Sequence, residues 1–194
     1  AIEKTTKGIS MLHKFRYHIP RKSLITLYKS FIRSHLDFAD VIYDQPNNKT
    51  FSDKIESIQY NAALAITGAI RGTSKDKLYK ELGLEYLSSR RWLKRLTLFH
   101  KIFQNKSPTY LYNIIPKPQV FISLRNQNNI PQMFCRTNFY QNSFFPSCIK
   151  EWNKLSPEIR AIKSLNSFRN TLLKTIKPIP NSVFDACDPH GLNY

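Results

Sequence analysis

The chain has 194 residues, 41% of them hydrophobic and 13% aromatic, which is enough apolar material for a folded core and too much for a disordered tail. Thirty Lys and Arg stand against 13 Asp and Glu, a net charge of +17, far from the balance of a small neutral enzyme domain. A folded domain with that field attracts polyanions, with nucleic acid the first expectation and an anionic membrane surface the second.

The excess is +5 over residues 1–50, +6 over 51–110 and +6 over 111–194, so it belongs to the whole chain and not to one tail. No secretory signal is expected from the opening residues, because Lys4 and Lys7 are followed by no apolar run. No stretch of about 18 apolar residues offers to span a bilayer, and of the two polyanions nucleic acid, with no membrane, is taken as the expected partner. Cys135, Cys148 and Cys187 are widely spaced and form no C-x-x-C, which fits a reducing, intracellular compartment, the nucleus and cytoplasm. Ala1 in place of Met, and the ending without a helix stop at Tyr194, are read as the cut ends of something longer.

In chain order, Ile2, Ile9, Leu12 and Phe15 recur at helical spacing and predict a first helix over 1–16. Pro20 opens a second over 21–43, with Leu24, Leu27, Tyr28, Phe31, His35 and Phe38 on one face at 3.6 residues per turn. Pro46-Asn47-Asn48 breaks it. A third helix is expected over 52–67, with Ser52 as N-cap and Ile55, Ile58, Ala62 and Ile66 inward. Ser74 caps a short helix that ends at Gly83. The next, over 85–105, stacks Trp92, Leu96, Phe99 and Phe103 on one face and lines the other with Arg90, Lys94, Thr97, Lys101 and Gln104. Ser107-Pro108 starts a short helix over 108–115.

Residues 117–133, rich in Pro, Asn and Gln, read as a linker. The aromatic run over 139–145 is a candidate extended segment, and helices resume over 146–155 and 164–176. The expected fold is therefore mainly α: a helical bundle over 1–116, a linker over 117–133, a smaller helical C-terminal unit over 134–177, and an irregular tail over 178–194.

No catalytic or metal constellation survives inspection. Gly68-x-x-x-Gly72-Thr73-Ser74 lacks the Lys of a phosphate loop and reads as a helix C-cap followed by an N-cap. Cys187 and His190 would be half of a zinc site with no recognised other half. Asp37 and Asp40, three apart, share a helix face, but without a third ligand they read as a solvated face and not as a metal pair.

The positive signal is basic. Lys22, Lys29 and Arg33 are seven and four residues apart, which on an ideal wheel places Lys29 and Arg33 each within about 20° of Lys22. The row lies opposite the apolar stripe, with Thr26 between its members as a possible phosphate donor. Arg90, Lys94 and Lys101 make a second row. The stretch His13-Lys14-Phe15-Arg16-Tyr17-His18 interleaves rings with cations, which also suits nucleic acid.

Several stretches together resemble a known family. They are Pro20-Arg21-Lys22-Ser23-Leu24 and Tyr28-Lys29-Ser30-Phe31-Ile32-Arg33-Ser34-His35-Leu36-Asp37-Phe38; Ile55-Glu56-Ser57-Ile58-Gln59 with Ile66-Thr67-Gly68-Ala69; and Lys77-Leu78-Tyr79-Lys80-Glu81-Leu82-Gly83-Leu84 with Arg90-Arg91. Ser143-Phe144-Phe145-Pro146 with Glu151-Trp152-Asn153-Lys154-Leu155, and Ser164-Leu165-Asn166-Ser167-Phe168-Arg169, complete the set. In this order they resemble the region downstream of the polymerase palm in non-LTR (LINE-type, jockey-like) retrotransposon reverse transcriptases.

The resemblance implies an RNA-directed DNA polymerase whose palm carries an aromatic-x-Asp-Asp hairpin holding divalent metal, with Mg the expected ion. No Asp-Asp pair stands in this sequence, so the chain alone is expected to be inactive and to need no cofactor of its own. Residues 1–43 would correspond to the thumb and its connection, lying along an RNA/DNA template–primer duplex whose shallow minor groove a helix can cross. The fingers and palm of the same polyprotein would be its other partner. The alternative is a domesticated or degenerate remnant acting as a basic protein-interaction scaffold.

Overall fold

The computed structural model describes residues 2–44, 46, 48–104, 106–117 and 129–175. The linker residues 118–128 and the tail 178–194, with Cys187 and His190, lie outside the described residues. The described residues are mainly helical, with no strand among them. No helix among them is long and apolar enough to cross a membrane.

The first helix, α1, runs Ile2–Phe15, and the chain then turns at Pro20 into α2, Arg21–Leu27. From Tyr28–Arg33 the hydrogen bonding widens to a π segment before α3, Ser34–Asp37. This departs from the expected uniform helix over 21–43 and changes which side chains face inward. In a straight α-helix, residues 24 and 40 lie about 160° apart at 100° per residue. Here Leu24, Tyr28, Ile32, Leu36 and Asp40 are all buried, one every four residues, because the wider turn holds a four-residue row in register. Phe31 (65% exposed) and Phe38 are correspondingly turned outward, and His35 with them. The chain breaks after α3: Phe38 is extended and Ala39 takes a left-handed φ of 52°.

The corrected register has an energetic consequence. Phe31→Ala is expected to change stability by less than about 0.5 kcal/mol, as for surface positions generally. Ile32→Val, one methylene smaller at a buried site, should cost about 0.5–1.5 kcal/mol. Urea denaturation of the two variants checks this; a larger loss for Phe31→Ala would place the 3.6-residue stripe back in the core.

After α4, Asp40–Tyr43, the next long helix is α5, Lys49–Thr67. It begins earlier than Ser52: Asn48 is the N-cap and its Oδ1 accepts from the Phe51 N–H at 3.0 Å. Ile55, Ile58, Ala62 and Ile66 are buried as the spacing requires. Gly68, at φ 73°, closes α5 as a left-handed C-cap, and Ser74 precedes α6, Lys75–Leu82, although its hydroxyl makes no capping bond. The cap-to-cap reading of the Gly68–Ser74 stretch is therefore what the backbone displays. Gly8 is needed for a different reason: a Cβ there would lie 2.7 Å from Ile32 Cγ1, so its absence lets α1 cross the π segment.

Helix α7, Leu87–Phe103, joins two buried clusters. Leu87 belongs with α1, α2, the π segment, α5 and α6; Leu93, Leu96, Phe99 and Ile102 belong with the C-terminal helices. The clusters thus meet inside α7 and not at the stretch 117–133. Helix α8, Thr109–Asn113, starts one residue later than its Ser107-Pro108 signal suggests, with Pro108 itself at the cap. Ile130, at the far edge of the expected linker, is buried, and Asn153 clasps its backbone with bonds of 3.0 and 2.8 Å.

The aromatic run over 139–145 is not extended. Thr137 accepts from the Tyr140 N–H at 3.2 Å and caps a single turn, α9, Asn138–Gln141. Helix α10 follows at Phe144–Lys154, then α11, Pro157–Arg160, and α12, Leu165–Thr175. Trp152 of α10 fills the centre of the second cluster, its ring centroid 5.4 Å from Phe99, 5.4 Å from Phe103 and 5.6 Å from Phe168.

Candidate nucleic-acid interface

The four-residue row that buries Leu24 to Asp40 also decides where the cations go. Lys29, Arg33 and Asp37 each follow a buried residue by one position, so they form a row beside the core. That row runs down toward α7. At its far end Arg33 Nε lies 3.8 Å from Asp37 Oδ2 and is half-buried. Lys29 at the upper end is exposed, as is Lys22 about two turns earlier. Thr26 is exposed too, but its hydroxyl donates to the Lys22 carbonyl at 3.2 Å, so its proton is already used within the helix.

The second row meets the first. Arg90 Nη2 approaches Asp37 Oδ2 at 3.0 Å and its Nη1 approaches Glu85 Oε2 at 3.5 Å. Lys94 Nζ sits 2.7 Å from Asp40 Oδ2 and 3.2 Å from Asp37 Oδ1. Arg33, Arg90 and Lys94 are therefore brought together around Asp37 and Asp40, and their charge is largely met inside the protein. Lys101, two turns beyond Lys94, is exposed. Of the seven residues singled out, Lys22, Lys29 and Lys101 present open ammonium groups to solvent, and three serve as structural ion pairs.

The acids correct the earlier expectation directly. Asp37 and Asp40 are not a solvated face: Asp40 is buried and Asp37 is half-buried. The left-handed turn at Ala39 re-aims the chain, so that Asp40 starts α4 and Asp44 ends it, both toward α7. A left-handed non-glycine residue costs about 1–2 kcal/mol, and this turn is what brings Asp40 and Asp44 to the cations of α7.

Asp44 lies 3.3 Å from Arg95 Nη1 and 3.7 Å from Arg91 Nη1, and both arginines are only 3% exposed. The two i,i+4 pairs of α7, Arg90 with Lys94 and Arg91 with Arg95, thus face successive carboxylates. Burial pushes the Asp44 carboxyl above the ordinary carboxylate range, and the Arg95 and Arg91 guanidiniums oppose that rise. Arg91 and Arg95 were not singled out, because a buried arginine on α7 follows only from knowing that Asp44 arrives opposite it.

A second buried polar group holds α5, α6 and α7 together. Glu56 Oε2 accepts from the Leu87 N–H at 3.1 Å, meeting the unpaired donors at the start of α7, where a negative charge is favoured. Gln59 bridges outward: its Oε1 accepts from Tyr28 OH at 2.7 Å and its Nε2 donates to the Glu85 carbonyl at 2.9 Å. Burial raises the Glu56 carboxyl, and the Leu87 N–H from which it accepts acts against that rise. Every one of these groups is engaged in holding helices, and among the described residues no cluster of three metal-capable side chains occurs. Cys148 is buried and burial pushes its thiol up to about 12, so it is an inert packing group.

His100 gives this molecule an acid-sensitive point. It is fully buried, its Nε2 hydrogen-bonds the Ile162 carbonyl at 2.6 Å, and its ring stacks on Phe168 at 4.2 Å. Burial lowers its pKa from 6.5, with the Ile162 contact opposing and Lys106 assisting. Below that value the unfolded chain binds a proton that the folded chain refuses, so stability falls as pH drops through about 6.5. Thermal unfolding at pH 7.5 and 5.5 should show a drop in wild type that is smaller in His100→Gln. Glu56 and Asp44, with raised values, bias stability the opposite way and are common to both proteins. Parallel pH curves for the two would remove His100 from the account.

The fold and its charges define a mainly helical, strongly basic protein in whose described residues the open cations are separate from a buried ion-pair network. Comparison of the chain with protein-family models, with curated proteins and with solved structures gives no match.

Proposed function

We propose that this chain is a non-catalytic nucleic-acid grip, the thumb-like region of a reverse transcriptase of the non-LTR retrotransposon kind, lying along the backbone of an RNA/DNA template–primer duplex. The observation that carries the reading is the pair of open lysines, Lys22 and Lys29, on the outer face of a helix whose inner face is locked into the core. A rigid helix presenting cations at fixed spacing contacts phosphates without reading sequence. Lys101 extends the reach, and the net charge of +17 supplies the long-range attraction.

Arg33, Arg90 and Lys94 have a different part in this reading. They hold α7 against α3 and α4 and so fix the angle at which the lysine-bearing helix is presented. The metal-dependent chemistry belongs to a palm preceding this chain, with Mg the expected ion, and the same polyprotein's fingers and palm are its protein partner. The setting for such an element is intracellular, in nucleus and cytoplasm.

Binding of the full chain to a labelled blunt RNA–DNA hybrid, followed by fluorescence anisotropy, tests this. Binding that weakens in the Lys22→Ala, Lys29→Ala double variant supports it; an affinity equal in the two proteins rejects it.

One observation favours the alternative of a basic protein-interaction scaffold. A groove of about 190 Å³ between α1 and the π segment is lined by Met11, Phe15, Leu27 and Phe31, with Lys4 and Lys7 at its rim. Exposed apolar rings beside a groove are a docking feature for proteins. Failure of hybrid binding would bring this reading forward.

A further inference from the structure

The turn between α1 and α2 carries a feature that the lysine row does not use. Phe15 accepts from the His18 and Ile19 N–H groups, both at 3.0 Å, which fixes the turn as it leaves α1. Tyr17 projects from it and is 79% exposed. Arg16 covers one side of that ring, its Cζ 4.6 Å from the ring centroid, and its Nη2 donates to the Tyr17 hydroxyl at 2.8 Å.

The guanidinium is itself backed by the end of α5. A Cβ on Gly68 would lie 3.0 Å from Arg16 Cζ, so the guanidinium sits closely against the end of α5 and would have to shift slightly for a side chain there. The C-terminus of a helix offers unpaired carbonyls and partial negative charge, which suit a cation. Tyr17 is thus an aromatic plate with one face supported and the other open to solvent. Exposed cations stand on both sides of it: Lys14 precedes it in sequence, and Arg71 follows Gly68 on the adjoining loop.

We propose that this plate is a second nucleic-acid site, one that stacks an unpaired base of a single strand on the open face of Tyr17 while Lys14 and Arg71 meet the flanking phosphates. A single strand, and not the body of a duplex, is the ligand because bases within a duplex are stacked on both faces and an unpaired base is free to stack on the ring. Stacking on an aromatic ring is tolerant of base identity, and cations beside the ring follow the backbone. The proposal rests on the nucleic-acid reading above, but it concerns a different face and a different form of nucleic acid.

The test uses the full chain and two labelled probes, an oligouridine of about a dozen nucleotides and a blunt RNA–DNA hybrid of similar length. Tyr17→Ala should weaken oligouridine binding roughly 5- to 150-fold and leave hybrid binding within about twofold. Tyr17→Trp, which keeps the plate, should bind oligouridine within about twofold of wild type or more tightly. Far-UV circular dichroism and thermal unfolding confirm that each variant is folded, as an exposed position allows.

Oligouridine binding that is absent in wild type, or unchanged in Tyr17→Ala, overturns the proposal. So does an equal loss on both probes, which would merge the two sites. Hybrid binding that depends on Lys22 and Lys29 while oligouridine binding ignores Tyr17 would leave the duplex reading standing and remove this one. Oligouridine binding that depends on Tyr17, with no hybrid binding, would do the reverse.

Discussion

Asp44→Ala is expected to lower the unfolding free energy by about 3–5 kcal/mol, the scale for removing one partner of a buried ion pair. Arg91 and Arg95 are each 3% exposed, and Asp44 is the carboxylate within 4 Å of both. Taking it away leaves two buried guanidiniums facing each other. Their position is already demanding: among the described residues, Arg91 Nε and Nη2 and Arg95 Nε have no hydrogen-bond partner. Replacing the charges as well as the carboxylate should recover most of the loss, because the cost comes from uncompensated charge and not from lost volume. The variant carrying Asp44→Leu, Arg91→Met and Arg95→Met should therefore denature in urea close to wild type. A loss under about 1 kcal/mol for Asp44→Ala would show that solvent reaches both arginines.

Trp152→Ala should cost a similar amount, about 3–5 kcal/mol, by a different mechanism. The indole is 1% exposed and meets Phe99, Phe103 and Phe168 at centroid distances of 5.4 to 5.6 Å, with His100 at 6.0 Å. Its removal opens a cavity that four rings anchored on α7 and α12 cannot jointly fill. Since the buried residues form two clusters, the loss should appear first in the second one. Amide exchange in α10 and α12 should quicken well before exchange in α1 and α5. Uniform acceleration across all helices would mean that the clusters unfold as one unit.

The helices themselves were legible because the apolar spacing was strong: Ile55, Ile58, Ala62 and Ile66 face inward as their positions require. The face of the second helix was not. A period of 3.6 selects Phe31 and Phe38, whereas the π segment selects Ile32 and Leu36, and nothing in local composition announces a widened turn. The break at Phe38-Ala39 was hidden for a similar reason, since Ala is a poor signal for a left-handed residue. The aromatic run over 139–145 suggested extension by composition, and a single cap at Thr137 outweighed it.

Among the site residues, one-helix reasoning found the exposed members, Lys22 and Lys29, because exposure follows from lying opposite a stripe. It could not separate open cations from paired ones. The pairing of Arg33, Arg90 and Lys94 with Asp37 and Asp40 spans more than fifty positions of chain for the last two. It exists only after α7 packs against α4. The excess of positive charge was readable at once, and its division into a structural share and an open share was not.

The slope of log affinity against log salt for RNA–DNA hybrid binding, compared between wild type and the Lys22→Ala, Lys29→Ala variant, tests the central reading most directly. Each lysine that neutralises a phosphate releases counterion and contributes about 0.7–0.9 to the slope. Both side chains are exposed and neither has a structural ion pair among the described residues, so the variant should fold as wild type does. The account predicts that wild-type affinity falls steeply with salt and that the double variant flattens the slope by roughly 1.4–1.8 units. Equal slopes for the two folded proteins would contradict it, and would make the lysine row an ordinary solvated helix face.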